Sequence, residues 1–341
     1  MRRATALAAA LALLGAAYEA SAQKRDEPIS VGYRDQVFVV ARDGGARRLT
    51  GPPGWHNGIA WAPRGHRMAM LARYTRIQVR DMSGDVQHEI RGGSRFTYPP
   101  EWSPDARRLA FVADPQRDNR GRLVTIRPDG SDRRVVATRV ADVAWSRDGE
   151  TIYYLHYDAG SITSIWSVPS RGGSPRLIVP NVTSGPQVSP DGHWILFGRA
   201  EGDDGVGLWV ARTDGSGRES RVIAPRDLRH GPYRWAPSGT AIYGGKTRHK
   251  RVIVTSLSGK RRSLGASFFS QVYEWSPDGD RLAWVQERYG ITRLWSARTD
   301  GTDRRVLARF TDRTGLTEVD ELEWSPDSRR LAVVPYRHSG D

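Results

Sequence analysis

Cysteine is absent from this 341-residue sequence, which excludes disulfide bonds, thiolate metal sites and a cysteine nucleophile. Lysine is scarce as well, because only Lys24, Lys246, Lys250 and Lys260 contribute to the 52 basic residues and the others are arginine. No segment approaches the roughly 20 apolar residues that a membrane-spanning helix requires. Long stretches of helical periodicity are also missing, whereas 36 glycines and 12 tryptophans indicate many short strands joined by tight turns.

The N-terminal segment has the composition of a secretory signal peptide. Two arginines precede a short apolar run over residues 4–17, and Ala-Ser-Ala at 20–22 supplies the small side chains of a cleavage site. We predict a signal peptide over residues 1–22, a short linker over 23–27, and an exported protein that is periplasmic or extracellular. An uncleaved N-terminal anchor is the alternative. After cleavage the chain is not expected to be an integral membrane protein.

The charge balance is strongly basic. The formal net charge is +14, and removal of two arginines and one glutamate with the signal peptide leaves 14 − 2 + 1 = +13. A positive surface favours anionic partners such as envelope polymers, acidic lipid headgroups or acidic proteins. A bias toward arginine codons is the simpler explanation. Nucleic acid is not an expected partner, because the chain is predicted to be exported.

A short motif recurs along the chain, as in Trp-Ser-Pro-Asp-Gly at 275–279. The first residue of each copy is called its anchor residue. The anchor residues are Trp61, Trp102, Trp145, Val188, Trp235, Trp275 and Trp324. Their successive separations are 41, 43, 43, 47, 40 and 49 residues. A period in the forties is typical of propellers and solenoids.

A second feature follows each apolar strand and variable loop: a glycine-containing turn between two alternating segments. Asp-Gly or Ser-Gly in this context is a hairpin signal, since glycine accepts positive φ. These turns begin at Arg42, Met82, Pro128, Ser170, Thr213, Leu257 and Thr299. Each repeat therefore predicts four antiparallel strands, which make one propeller blade.

The order of the two features predicts how the ring closes. The first turn, at Arg42, precedes the first anchor residue, Trp61, and the last anchor residue, Trp324, is followed by one strand only. The sequence predicts an all-β fold: a seven-bladed β-propeller of four-stranded antiparallel blades. Pairing of N-terminal and C-terminal strands in one blade would close it and remove the open edges. We predict this single domain over 28–337 and a tail over 338–341. A six-bladed ring would leave one repeat over.

The motif itself is predicted to be structural rather than catalytic. Proline, aspartate and glycine suit successive positions of a tight turn, with the aspartate accepting hydrogen bonds from nearby main-chain N–H groups. The tryptophan, at the end of the innermost strand, can pack between neighbouring blades. Such a position recurs because every blade has the same packing problem.

This repeat resembles that of the TolB-type propeller family, also described as the WD40-like or PD40 repeat. The resemblance covers nearly all of the predicted mature chain and implies the fold much more specifically than a function. The family's namesake has an additional N-terminal domain and six blades, neither of which is expected here, so its role in an envelope complex is not transferred. Similar propellers precede the hydrolase domain of prolyl-oligopeptidase-like peptidases, but no Gly-x-Ser-x-Gly motif is present and a serine peptidase is not expected.

The candidate site is the mouth of the central channel, where segments leading into the innermost strands meet. These segments also carry Asp142 and Gln187. The predicted binding residues are His56, Asn57, Tyr98, Glu101, His230, Tyr233, Arg234, Gln271, Glu274, Asp320 and Glu321. No catalytic residue, metal ligand set or cofactor is predicted.

Three functions remain open from the sequence. The leading one is an exported, non-enzymatic and monomeric scaffold that holds a protein or an anionic envelope polymer at the channel mouth. The alternative is a metal-dependent glycan lyase: His56 and His230 both lie five residues before an anchor residue, and similar seven-bladed oligogalacturonate lyases hold a metal with channel histidines. Two histidines fall short of the three or more convergent ligands that a metal site usually needs. A soluble subunit of a sensor or transport assembly is the third.

Overall fold

A computed structural model of the chain describes part of the sequence in detail. The described residues are 29–30, 36–50, 56–64, 66–73, 75–91, 99–114, 120–158, 162–225, 233–244, 251–267, 272–288, 291–311 and 317–337. The predicted signal peptide, linker and C-terminal tail lie outside them, so those boundaries remain predictions. No helix within the described ranges is long and apolar enough to cross a membrane.

The described chain is built almost entirely of short strands, with one 3-10 turn at Gly202–Asp204. The strands are β1 (Ile29–Ser30), β2 (Phe38–Ala41), β3 (Ala46–Arg48), β4 (His56–Trp61), β5 (Arg67–Ala72), β6 (Arg76–Asp81), β7 (Val86–Arg91), β8 (Glu101–Trp102), β9 (Leu109–Ala113), β10 (Gly121–Ile126), β11 (Arg134–Trp145), β12 (Thr151–Tyr157), β13 (Thr163–Pro169), β14 (Arg176–Val182), β15 (Gln187–Val188), β16 (Trp194–Ala200), β17 (Val206–Arg212), β18 (Glu219–Ile223), β19 (Tyr233–Trp235), β20 (Ala241–Gly244), β21 (Arg251–Ser256), β22 (Arg261–Ser267), β23 (Tyr273–Trp275), β24 (Arg281–Arg288), β25 (Ile291–Arg298), β26 (Arg305–Thr311), β27 (Thr317–Trp324) and β28 (Arg330–Arg337). The all-β class predicted from the sequence is confirmed.

Antiparallel pairing groups these strands in sets of four. Strands β4 to β7, β15 to β18 and β19 to β22 form three such sheets in chain order. Strands β23 to β26 form another, with the short strand β1 added in parallel at its β26 edge. Each set begins with a strand that ends in an anchor residue, as the repeat predicts.

One sheet has seven strands because β11 belongs to two sets at once. Its first half, residues 134–140, pairs with β10, and its second half, residues 140–145, pairs with β12. The register shifts between Val140 and Asp142, where the strand passes from one set to the next. Strands β8 to β14 therefore contain two four-stranded units that share one long strand.

The remaining sheet combines strands from opposite ends of the sequence, in the order β27, β28, β2, β3. Strand β2 pairs antiparallel with β28, so that Phe38 lies opposite Val333 and Ala41 lies opposite Arg330. The four side chains before Ala41, from Val37 to Val40, are buried. This sheet fixes the early strands against the late ones.

Anchor tryptophans link several of the sheets to the one before them. Trp102, for example, is 5% exposed and packs with apolar residues of the preceding sheet, which confirms the packing role predicted for it. Five indole Nε1–H groups donate to the main-chain carbonyl that precedes the neighbouring anchor residue. These bonds are Trp61 to Glu323 (3.2 Å), Trp102 to Ala60 (3.0 Å), Trp145 to Glu101 (3.1 Å), Trp235 to Gln187 (2.8 Å) and Trp324 to Glu274 (3.2 Å).

Five of the seven turns after the anchor residues have the aspartate hydrogen bonds predicted for them. In one of these turns the Ser146 hydroxyl donates to Asp148 Oδ1 at 2.6 Å, and the Glu150 N–H donates to the same oxygen at 3.0 Å. These bonds hold the pKa of Asp148 below its usual range. The same serine–aspartate arrangement occurs at Ser103, Ser189, Ser276 and Ser325. The motif is therefore a structural turn.

Candidate functional site

The inner strands of the four-stranded units surround one central space. Side chains alternate along a strand, so the residue before each buried anchor residue points the other way, into this space. Two cavities occupy it, with volumes of about 540 Å³ and about 460 Å³. Both are lined by Glu101, Arg234 and Glu274, and together they are bounded by β4, β8, β11, β15, β19, β23 and β27.

The described side chains around this central space are mostly acidic, although the whole chain is basic. Among them one guanidinium, that of Arg234, faces the space, and its Nε lies 3.3 Å from Glu274 Oε2. The acidic residues in the described part of the lining are Glu101, Asp142, Glu274, Glu321 and Glu323. These five carboxylates and one guanidinium give a formal charge of −5 + 1 = −4 when all are ionised. We call these six residues the channel lining.

The pKa of Glu101 is raised to near neutral pH. Its side chain is exposed toward the central space, yet protein atoms of the surrounding strands enclose it. Loss of bulk hydration and the charge of Asp142 raise the pKa of Glu101 to about 7, while Arg234 acts in the opposite direction. Burial also raises the pKa of Asp142, with the Val143 N–H opposing it. The channel lining therefore changes its charge near neutral pH.

Glu323, on β27, lines the same space. Its Oε1 accepts a hydrogen bond from the Trp61 N–H at 3.3 Å, and its buried Oε2 has no hydrogen-bond partner among the described residues. Burial raises the pKa of Glu323 well above its usual range, and the charges of Glu101 and Glu274 add to the effect, although the Trp61 N–H opposes it. In these surroundings the protonated Glu323 carboxyl would have a lower free energy than the ionised one.

Glu321 is committed to main-chain groups of the neighbouring sheet. Its Oε1 accepts from the Gly58 N–H at 2.7 Å and its Oε2 accepts from the Ile59 N–H at 2.9 Å. Gly58 adopts a φ of +60° at a register shift between Asn57 and Ile59 in β4. A bulge of this kind leaves main-chain N–H groups without ladder partners, and the Glu321 carboxylate satisfies two of them.

The structure brings together some of the predicted binding residues and separates others. Glu101, Arg234, Glu274 and Glu321 all line the central space. Tyr233 does not project with them, because it is half-buried against an apolar cluster between its own sheet and the preceding one. The backbones of His56, Asn57 and Asp320 lie on β4 and β27, but their side chains are outside the described part of the structure. Tyr98, His230 and Gln271 lie outside the described residues altogether.

Two members of the channel lining are absent from the predicted binding residues: Asp142, which the sequence analysis named only as carried by a segment leading into an inner strand, and Glu323. The sequence does contain a signal for Glu323. Glu323 precedes Trp324 by one residue, as Glu101 precedes Trp102 and Glu274 precedes Trp275. Aligning the repeats on their anchor residues would have placed the three glutamates together. Within the described ranges, no three His, Asp or Glu side chains are grouped closely enough to hold a metal ion.

Comparison with known proteins supports the fold and leaves the function open. No protein-family model matches the sequence. The chain is similar to an uncharacterized protein of Agrobacterium fabrum, with 24% identity over 261 residues, covering 70% of this chain and 84% of that protein. That similarity is too distant to establish a family.

Two solved structures are similar over most of the chain. One is a protein assigned as TolB from Agrobacterium tumefaciens, with a TM-score of 0.54 and 17% identity, covering 91% of this chain and 100% of that one. The other is an oligogalacturonate lyase from Vibrio parahaemolyticus, with a TM-score of 0.61 and 13% identity, covering 74% and 80% respectively. The fold is a TolB-like β-propeller, which confirms the propeller class predicted from the sequence. At these identities the likeness concerns the fold alone.

Proposed function

We propose that this chain is an exported, non-enzymatic β-propeller scaffold that acts as a monomer and holds a partner at the mouth of its central channel. The observation that carries this proposal is the channel lining. It concentrates charge in a concave space, as binding sites do, yet its carboxylates are engaged by Arg234 or by main-chain N–H groups, or repel one another. A periplasmic or extracellular location follows from the predicted signal peptide.

The proposed scaffold has seven blades, closed by the sheet of β27, β28, β2 and β3. Two features support closure. Strand β2 pairs with β28, and the indole of Trp61, in the first complete sheet, donates to the carbonyl of Glu323, in this combined sheet. The same indole contact joins other neighbouring sheets, so the join between the chain's two ends has the chemistry of an ordinary blade boundary.

The charge of the channel lining favours one kind of partner. Acidic side chains attract cations, so a protein segment that presents a lysine, an arginine or a free amino terminus would fit the channel. An anionic envelope polymer would be repelled there and would meet the arginine-rich outer surface instead. We therefore propose a protein with a basic segment as the channel partner.

Affinity capture from an envelope extract tests this proposal. The wild-type protein should recover a partner in stoichiometric amount, and the double variant Glu101→Gln, Glu274→Gln should recover much less. The double variant Glu150→Gln, Asp214→Asn removes the same charge from exposed turns and should retain the partner. Equal recovery by both double variants, or turnover of a glycan without any captured protein, would overturn the proposal.

A glycan lyase is the second candidate, and one observation favours it. A carboxyl group with a pKa of about 7 can serve as a general acid or base at neutral pH, and Glu101 has such a pKa beside Arg234. The other carboxylates of the channel lining oppose it, because they would repel a uronate polymer. Purified protein incubated with uronate polymers should give no ultraviolet-absorbing unsaturated product, and metal analysis should find no stoichiometric metal. A positive result in both assays would favour the lyase.

A further inference from the structure

A third cavity lies outside the channel, between the sheet of β19 to β22 and the sheet of β23 to β26. Its volume is about 510 Å³, within the range of small-molecule sites. The turns on its wall join first to second strands and third to fourth strands, so it lies on the face opposite the segments that lead into the channel. Its lining includes Ala241, Val254, Lys260, Trp275, Gly279 and Thr299.

A small residue stands beside this cavity, at a position that is large in most of the other repeats. Ala241 stands six residues after its anchor residue, at the start of the second strand. The residues at the same position in the other six repeats are Arg67, Arg108, Thr151, Trp194, Arg281 and Arg330. Five of these six are arginine or tryptophan, whereas Ala241 leaves the space between its sheet and the next unfilled.

Arg67 shows how such a side chain fills the boundary between two sheets. Its guanidinium lies over the ring of Trp102 in the next sheet, with 5.4 Å to the ring centroid, and its Nη2 donates to the Ala106 carbonyl at 3.5 Å. The counterparts of Trp102 and Ala106 in the sheet after Ala241 are Trp275 and Gly279, and both line the cavity. A Cβ added at Gly279 would meet no atom within 4 Å. The space that Arg67 fills at its own boundary is thus open beside Ala241.

The charge at this cavity is positive. Lys260 and Arg261 are on its wall, and none of the described residues on the wall is a carboxylate. The nearest acidic side chains in sequence are engaged elsewhere: Asp278 and Asp280 bind Arg42, and Asp300 Oδ1 accepts from the N–H and hydroxyl of Thr302. Lys260 forms no ion pair with any described residue. The wall therefore attracts an anion, although the equivalent boundary beside Trp102 holds the guanidinium of Arg67.

The remaining wall is largely apolar. Val254, Ala236 and Trp275 are all buried and form its floor with Ala241. The Thr299 hydroxyl, at the rim, has no hydrogen-bond partner among the described residues. An apolar floor beside an ammonium group and a free hydroxyl suits a ligand that carries its charge at one end.

We propose that this cavity binds a small organic anion: a flat apolar body that packs against Trp275 and Val254, with a carboxylate or similar anionic group held by Lys260 and Thr299. This site is independent of the channel and of the function proposed for it. The ligand would occupy the boundary between two sheets, in the place that the Arg67 side chain takes at its own boundary.

Three probes of one shape and different charge test the proposal by isothermal titration calorimetry on the full chain. They are 2-naphthoate, the neutral 2-naphthamide and the cationic 2-naphthamidine. For a ligand of this size we expect 2-naphthoate to bind with a dissociation constant on the order of 1 mM or tighter. The amidine should bind at least about tenfold more weakly. Equal or tighter binding of the amidine would overturn the proposal and would assign the space to a guanidinium-like cation.

Substitutions in the cavity locate the binding. Ala241→Arg introduces the side chain that fills the boundary at Arg67, so it should abolish naphthoate binding even though it adds positive charge. Lys260→Gln should weaken binding by up to about fivefold, as for one exposed ion pair. Thr151→Arg makes the same change as Ala241→Arg in another sheet and should leave binding intact. Undiminished binding by folded Ala241→Arg, or no binding by the wild-type protein, would overturn the proposal.

Two further measurements keep the test decisive. If Ala241→Arg does not fold, Ala241→Gln fills part of the same space without a charge and should also weaken naphthoate binding. The channel variant Glu101→Gln, Glu274→Gln should bind naphthoate as the wild-type protein does. Loss of partner capture in that variant with naphthoate binding unchanged would separate the two sites, whereas loss of both would contradict their independence.

Discussion

The indole Nε1–H of Trp61 donates a hydrogen bond of 3.2 Å to the main-chain carbonyl of Glu323, 262 residues further along the chain. The Trp61 N–H also donates to the Glu323 carboxylate at 3.3 Å. The two residues therefore join the first complete sheet to the sheet that combines early and late strands. Four other anchor tryptophans make the same indole contact between neighbouring sheets. The join between the chain's ends thus uses the same interaction as the internal boundaries.

The indole contacts should contribute measurably to stability. Trp145→Phe removes the bond to the Glu101 carbonyl and part of a buried ring, so we expect the free energy of unfolding to fall by about 1–3 kcal/mol. Urea denaturation would measure it. Trp194→Phe is the control, because the indole N–H of this half-buried residue has no hydrogen-bond partner within the described residues. A cost for Trp194→Phe as large as that for Trp145→Phe would show that ring volume alone matters.

Removal of the Glu321 carboxylate should destabilise the protein more than removal of an exposed carboxylate. Glu321→Ala leaves the N–H groups of Gly58 and Ile59 without their acceptors, and we expect a loss of about 2–4 kcal/mol in unfolding free energy. Thermal or urea unfolding would measure it. Glu150→Ala removes an exposed carboxylate and should cost less than about 0.5 kcal/mol. Similar losses in the two variants would mean that the hydrogen bonds of Glu321 to Gly58 and Ile59 contribute little to stability.

Asp278 combines a turn with a contact to the neighbouring sheet. Asp278→Ala removes an acceptor for the Ser276 hydroxyl and the Asp280 N–H and the ion pair with Arg42 at 2.7 Å. We expect a loss of about 0.5–2 kcal/mol, by analogy with lost side-chain caps, and a lower melting temperature. If binding were abolished while the melting temperature stayed intact, the structural role of the turn would be refuted.

A matched variant isolates the ion pair of Asp278. Asp148→Ala removes the same type of turn acceptor, but Asp148 forms no ion pair with a described residue. Its cost should be smaller than that of Asp278→Ala by about 0.2–1 kcal/mol, the usual value of an exposed pair. In an Arg42→Ala background this difference should disappear, as a double-mutant cycle would measure.

The stability of the protein should fall as the pH rises through neutrality because of Glu101. Its pKa is raised from 4.5 to about 7, so between these values the folded protein holds a proton that the unfolded chain has released. The stability linked to this proton is present below about pH 4.5 and is lost as the pH passes 7. Glu101→Gln should therefore match the wild-type protein at pH 5 and exceed it at pH 8.

The size of the gain is reduced by the exposure of Glu101 toward the central space. After that screening we expect about 1 kcal/mol at pH 8, measured by urea denaturation at both pH values. Glu150→Gln, in an exposed turn, should show no difference between pH 5 and pH 8. A Glu101→Gln variant with the same gain at both pH values would contradict the raised pKa.

Much of the fold could be predicted because the same local hydrogen bonds recur in successive sequence repeats. The turn at Ser146 and Asp148 and the packing of Trp102 depend on residues a few positions apart or at a fixed period, so a pattern in the sequence identifies them. The double role of β11 could not be predicted in this way, since one strand of 12 residues replaces the separate outer and inner strands that the pattern expects.

The site was less predictable because candidate residues in the segments leading into the inner strands were chosen for their polarity, without regard to which side of the strand they face. Polar side chains in those segments include Tyr233, which packs half-buried against an apolar cluster, and Glu321, which binds main-chain N–H groups. Glu323 was missed, although its register matches that of Glu101. Which side of the strand a residue faces decides its role, and that depends on counting from the anchor residue.

The sequence by itself determined the repeat, the turns, the buried tryptophans and the all-β class, because these follow from local backbone preferences and a fixed period. The tertiary structure alone decided the charge of the central space and the location of the third cavity. Residues from distant repeats meet only when the sheets are arranged around one centre, so the pKa of Glu101 depends on Asp142 and Arg234, 41 and 133 residues away. Likewise, the small side chain of Ala241 contributes to a cavity only because the folded chain places Trp275 and Lys260 around it.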